Sequence, residues 1–117
     1  MKKFTSLVFL SLFFSSLFAF TPPIWTGGDG ISSATAYQIS NANQLAYLAQ
    51  QVNAGLNYSG KFFVLTDDID LANDPWTPIG NSVSSFSGHF NGDAHVIKNV
   101  KIDASASDCQ ALFGHIY

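Results

Sequence analysis

The sequence predicts a mostly β chain of solenoid type with one helix near its start. Three observations predict it. From residue 58 onward, short apolar or alternating runs are separated by polar turn residues. Tyr58-Ser59-Gly60-Lys61-Phe62 is echoed by Phe86-Ser87-Gly88-His89-Phe90 at an offset of 28 (86 − 58), and the same offset carries Ile69 onto Ile97. Self-similarity of that length points to stacked units rather than a closed barrel. Finally, Leu45, Leu48, Ala49 and Val52 fall at i, i+3, i+4 and i+7, a single helical stripe.

In chain order, residues 1–20 read as a signal peptide. Lys2 and Lys3 form the positive start, the stretch from Phe4 to Phe18 is apolar with only Thr and Ser interruptions, and Ala19 offers a cleavage position. Six of the 11 Phe lie there. The other 97 of the 117 residues hold three Lys and eight Asp, with no Arg or Glu, a net charge of −5. Three cations are too few to neutralise a run of phosphates, so a nucleic-acid partner is excluded. Nothing after residue 20 reaches about 18 consecutive apolar residues, so no transmembrane span is expected after signal cleavage. Abundant β-branched and aromatic residues argue against a disordered tail. The expectation is an exported protein, secreted or at the bacterial cell surface. Cys109 is its only thiol, so no internal disulfide can form.

Residues 21–40 form a Gly/Ser/Thr-rich lead-in with Pro22, Pro23, Gly27, Gly28 and Gly30, ending in a short strand at Tyr37-Gln38-Ile39. Residues 41–57 are the capping-helix region. Asn41 with Gln44 three positions on predicts the helix start, and Asn53-Ala54-Gly55 its stop, giving a helix near 42–53. Residues 58–117 then alternate strands and turns. Lys61-Phe62-Phe63-Val64-Leu65 is followed by Ile69 and Leu71 around Asp70, by Trp76-Thr77-Pro78-Ile79-Gly80, by a long alternating run over 95–102, and by a last strand over 111–116.

The order of these motifs resembles the N-terminal part of the bacterial GLUG-motif surface proteins, which are adhesin-like. The carrying residues are Trp25-Thr26-Gly27-Gly28, Ala36-Tyr37-Gln38-Ile39, Asn43-Gln44-Leu45-Ala46-Tyr47-Leu48-Ala49, the run 60–71, Trp76-Thr77-Pro78-Ile79-Gly80, Phe86-Ser87-Gly88-His89-Phe90-Asn91-Gly92 and Ala111-Leu112-Phe113-Gly114-His115-Ile116. The resemblance implies the start of a right-handed parallel β-helix with an N-terminal capping helix, its first coils over 58–117 closing on a GLUG-like end. It also implies a fragment of a longer adhesin, whose open end meets further coils or a second copy. Where the family turn reads Asp-Gly-Asn-Gly, this chain has Asn91-Gly92-Asp93-Ala94, which puts Ala94 where a positive φ is wanted.

Chemistry-bearing residues are sparse. Asp68, Asp70 and Asp74 are candidate Ca²⁺ ligands through carboxylate oxygens, although their spacing fits no EF-hand loop. Asp68 and Asp70 would stand about 7 Å apart along a strand, a separation that paired-carboxylate glycosidases use. That pair is too common to name a catalytic residue, and none is assigned. His89, His95 and His115 lack the further ligands a zinc site needs. No nucleophile elbow or phosphate loop is present. Trp25 and Trp76 are the candidate ligand-binding residues, as sugar platforms, or else buried packing anchors. The expected function is therefore a secreted or cell-surface structural and adhesion module, not an enzyme and needing no cofactor, with a host or matrix protein or a glycan as partner. The alternative is a non-catalytic N-terminal module of an exported polysaccharide- or protein-degrading enzyme, or a carbohydrate-binding module.

Overall fold

Helix α1 spans Ala42–Asn53, the span its apolar stripe predicts, and buries Leu45, Leu48, Ala49 and Val52. The computed structural model describes residues 24–102 and 111–117; the signal-peptide reading of 1–20 and the thiol Cys109 lie outside them. Asn41 caps the helix by accepting the Gln44 N–H at 2.9 Å. The C-terminal end closes as a Schellman motif: Leu56 N–H donates to Gln51 O and Gly55 N–H to Val52 O, with Gly55 at φ 113°.

The structure also has five short strands: β1 (Tyr37–Ile39), β2 (Phe62–Leu65), β3 (Ile69–Asp70), β4 (His89–Asn91) and β5 (Ile97–Lys98). They form two sheets, β1-β2-β4 and β3-β5, and every strand pair is parallel. In the first sheet Tyr37 faces Phe63 and Phe63 faces Phe90. In the second, Ile69 faces Ile97, as the sequence echo requires. Beyond these, among the described residues single parallel bridges join Pro75 to Lys101, Ile79 to Phe113 and Phe86 to Ile116, and a single antiparallel bridge joins Gly27 to Gln38.

The expectation of a right-handed parallel β-helix is corrected by this arrangement. The protein is a small compact globule with one α-helix, a 3-10 turn at Ser33–Thr35 and short parallel sheets, and no continuous solenoid sheet runs through the described residues. The strands are two to four residues long. Paired residues are separated by 26 positions (Tyr37 to Phe63), 27 (Phe62 to His89), 28 (Ile69 to Ile97), 34 (Ile79 to Phe113) and 30 (Phe86 to Ile116). A stacked repeat needs one constant offset so that each unit reproduces the contacts of the last. Here the offset drifts from 26 to 34, and outside the first sheet pairing is limited to a two-residue strand pair and single bridges. The long strand expected over 95–102 and the last strand expected over 111–116 are correspondingly reduced to β5 and isolated bridges.

The core lies between α1 and the inner faces of both sheets. Ile39, Leu45, Leu48, Val52, Phe63, Leu65, Ile69 and Ile79 are its most deeply buried side chains, and no polar residue is fully buried among the described residues. An aromatic ladder runs along it, with ring centroids 5.3 Å apart from Trp25 to Phe63, 5.8 Å from Phe63 to Phe86 and 5.5 Å from Phe86 to Phe113. Glycine is required where backbones cross: a Cβ on Gly28, at φ +86°, would lie 1.9 Å from Ala36 O, and one on Gly80 would lie 2.3 Å from His115 O.

Candidate functional site

The two tryptophans sit in different surroundings. Trp25 is half buried in a cluster of rings, 5.5 Å from Tyr37, 5.6 Å from Tyr47, 6.5 Å from Tyr58 and 5.3 Å from Phe63. Gln44 holds the backbone beside it, its amide donating to Ile24 O and Thr26 Oγ1 at 3.1 Å each, while its carbonyl accepts the Ser40 N–H at 2.7 Å. One glutamine thus ties the lead-in to the helix start. Burial pushes the Tyr58 phenol up to about 12, and the nearby phenols of Tyr47 and Tyr37 add to the shift.

Trp76 forms the floor of a groove of about 570 Å³ between α1 and the 75–77 segment, with Ala46, Ala49, Gln50 and Asn53 on the helix side. Only 8% of the residue is exposed. Its indole N–H is spent on Leu112 O at 3.2 Å. Asn53 is spent as well, donating to Pro78 O and accepting the Gly80 N–H. A sugar platform needs an open indole face and free polar groups beside it. Gln50 and Thr77 supply polar groups at the groove, but Trp76 has no open indole face and serves here as a packing anchor, while Trp25 is half buried among tyrosines.

The acidic candidates are engaged in strand pairing. Asp68 Oδ1 accepts the Val96 N–H at 2.9 Å and lies 3.2 Å from His95 Nδ1. Asp70 Oδ1 accepts from the Asn99 amide at 2.7 Å and from the Ala72 N–H at 2.8 Å. The Val96 N–H and then His95 hold the Asp68 carboxyl below its usual value; Asn99 and then the Ala72 N–H do the same for Asp70. Asp74 contributes to neither set. Among the described residues no three His, Cys, Asp or Glu side chains gather as a metal site. The expected Ca²⁺ ligands Asp68, Asp70 and Asp74 are therefore not assembled: the first two clasp the β5 layer instead.

A feature that motif reading missed lies at the β4 side of the molecule. Phe86, Gly88, Phe90, Phe113, Ile116 and Tyr117 line a shallow hollow of about 300 Å³. None of them is charged. Ile116 is 65% and Tyr117 97% exposed, and Phe90 stands edge-on to Phe113 at 5.1 Å. β4 pairs with β2 along one edge, and among the described residues no strand pairs with its other edge; just before β4, Phe86 makes the bridge to Ile116 and accepts the Tyr117 N–H. By contrast, the β1 edge is covered by the Gly27–Gln38 bridge. The apolar spacing of Phe113 and Ile116 was the available signal.

No protein-family model matches the chain, and no solved structure matches it. It is similar to a protein of Evansella cellulosilytica provisionally named a Gly-rich membrane protein, at 28% identity over 132 aligned positions. The match covers 99% of this chain and 15% of that relative's length. The relative's name is non-enzymatic, as is the reading of this chain, and it is compatible with an exported or surface location. Among the described residues no helix is long and apolar enough to cross a membrane.

Proposed function

We propose that this chain is a non-catalytic structural and attachment module of an exported cell-surface protein, acting through its β4 side. The uncharged hollow beside an incompletely paired strand is the observation that carries this reading. An incompletely paired parallel edge offers main-chain donors and acceptors to an added strand, and flanking apolar side chains supply the burial that holds it. The partner is accordingly a protein surface, whether further chain of the same protein, a second copy, or a host or matrix protein. The named membrane location of the relative, and the small share of its length that this chain spans, support a module working within a larger envelope protein.

Two measurements test it. Fractionation and protease shaving of cells expressing the gene should find the protein outside the cytoplasm and cleaved from outside. Purified protein should bind immobilised matrix proteins, or itself, and Ile116→Lys with Tyr117→Lys should abolish that binding while leaving the circular dichroism unchanged. Cytoplasmic retention would sink the location, and undiminished binding by the double variant would sink the surface.

A further inference from the structure

We infer that the Asn91-Gly92 turn is a spontaneous modification site, at which Asn91 is converted through a cyclic imide to aspartyl and isoaspartyl products. The reaction needs three things, and the turn supplies each. The nucleophile is the backbone nitrogen of Gly92, which lies outside β4 and donates to no backbone acceptor among the described residues. The electrophile is the Asn91 side-chain carbon. Asn91 is exposed, and its Oδ1 accepts the Asp93 N–H at 2.9 Å. That bond folds the amide over the Gly92 peptide and polarises its carbonyl as an oxyanion donor does. Room comes from Gly92 itself, where even an added Cβ would meet nothing within 4 Å.

Gly92 nitrogen attacks Asn91 Cγ, the Cγ–Nδ2 bond breaks, and the proton from Gly92 leaves with the side-chain nitrogen as ammonia. Water then opens the imide at either carbonyl. Opening at the side-chain carbonyl leaves an aspartyl residue, and opening at the main-chain carbonyl leaves an isoaspartyl linkage with one extra methylene in the backbone. Both add a negative charge beside Asp93, and the second lengthens the chain at the last residue of β4, opposite Val64. The modification therefore alters the edge of the three-stranded sheet.

Other sites in the chain show why this turn is singled out. Asp29-Gly30 has the same side-chain turn, with Asp29 Oδ1 accepting the Ile31 N–H, but the Gly30 nitrogen is buried and donates to Thr35 O at 2.9 Å. Asn57 and Asn81 also accept an N–H two residues on, but Tyr58 and Ser82 follow them and hinder attack.

The test is incubation of the full chain in neutral and mildly alkaline buffer, followed by peptide mapping with fragmentation that separates the two products. Asn91 should gain one dalton at least about tenfold faster than Asn57 or Asn81, with the rate rising with pH. Gly92 lacks a positive φ, so Gly92→Ala should fold normally and slow the conversion about tenfold or more. The inference is overturned if folded Asn91 stays unmodified while the urea-unfolded chain reacts, or if Gly92→Ala reacts at the parent rate.

Discussion

Ala94 sits at φ 62° directly after Asp93 at φ 48°, and the His95 N–H closes the turn on Gly92 O at 2.9 Å. Two successive left-handed residues make a type I′ turn, in which a Cβ is tolerated by Asn and Asp far better than by Ala. Ala94→Gly removes that strain, and part of the gain is offset by the freer unfolded chain. It should stabilise the protein by about 0.5–1 kcal/mol, read as a rise in melting temperature. This position was legible in the sequence, because the turn motif calls for glycine there. Tyr58, at φ 56°, was not legible, since its strain is held by ring packing onto Trp25 and Phe63 that no local pattern announces. Trp76 makes the opposite case: the sequence favours a packing anchor over a sugar platform without excluding the latter, and its burial makes it an anchor. Trp76→Ala should cost about 3–5 kcal/mol, enough to leave little folded protein in a denaturant titration, with Trp76→Phe clearly milder.

Among the elements, α1 was the most legible because its stripe, cap and stop are all local. Asn41→Ala should cost about 1 kcal/mol in the same titration, since the Gln44 N–H loses its acceptor. The capping partner was displaced by one residue: Gln44 returns its bond to Ser40, not Asn41, which frees its amide to fasten the lead-in. The strands were harder to read. The echo aligns Phe62 with Phe90, but the actual register sets Phe62 against His89 and Phe63 against Phe90. In a strand, one residue of slip exchanges the two faces. The unbroken run Phe62-Phe63-Val64-Leu65 conceals which face is inner, and packing chooses Phe63 and Leu65. The β3-β5 pair depends on carboxylates. Asp68 and Asp70 have folded pKa values lowered from the unfolded value near pH 4, so their contribution is complete above about pH 4 and is lost as pH falls through the depressed values. Thermal melts from pH 7 to pH 2 should show stability falling over that acid range. Asp68→Asn with Asp70→Asn should flatten the fall; an unchanged slope would exclude the two carboxylates as its cause.

At the scale of the whole molecule, the apolar residues flanking β5 and ending the chain are far more exposed than those of α1, β1 and the inner face of β2. Next to α1, Ile39, Leu45, Leu48, Val52, Phe63 and Leu65 are all 1% exposed or less, whereas Val96, Val100, Ile116 and Tyr117 range from 39% to 97%. Polar composition and turn spacing made the strands visible, but whether they stack into a regular coil depends on a constant offset between passes, which the structure lacks. Short strands with drifting offsets share few contacts, so they cannot reinforce one another as a continuous sheet would. Opening should therefore begin at β5 and the 111–117 segment and reach the helix last. Native-state hydrogen exchange should find the Ile39-facing amide of Thr66 and the buried helical amides of Leu48 and Val52 protected most, with those of Leu71, Trp76 and Tyr117 exchanging well before them. A uniform exchange free energy across these amides would mean that the two sheets unfold as one unit, and the graded packing would then carry no energetic weight.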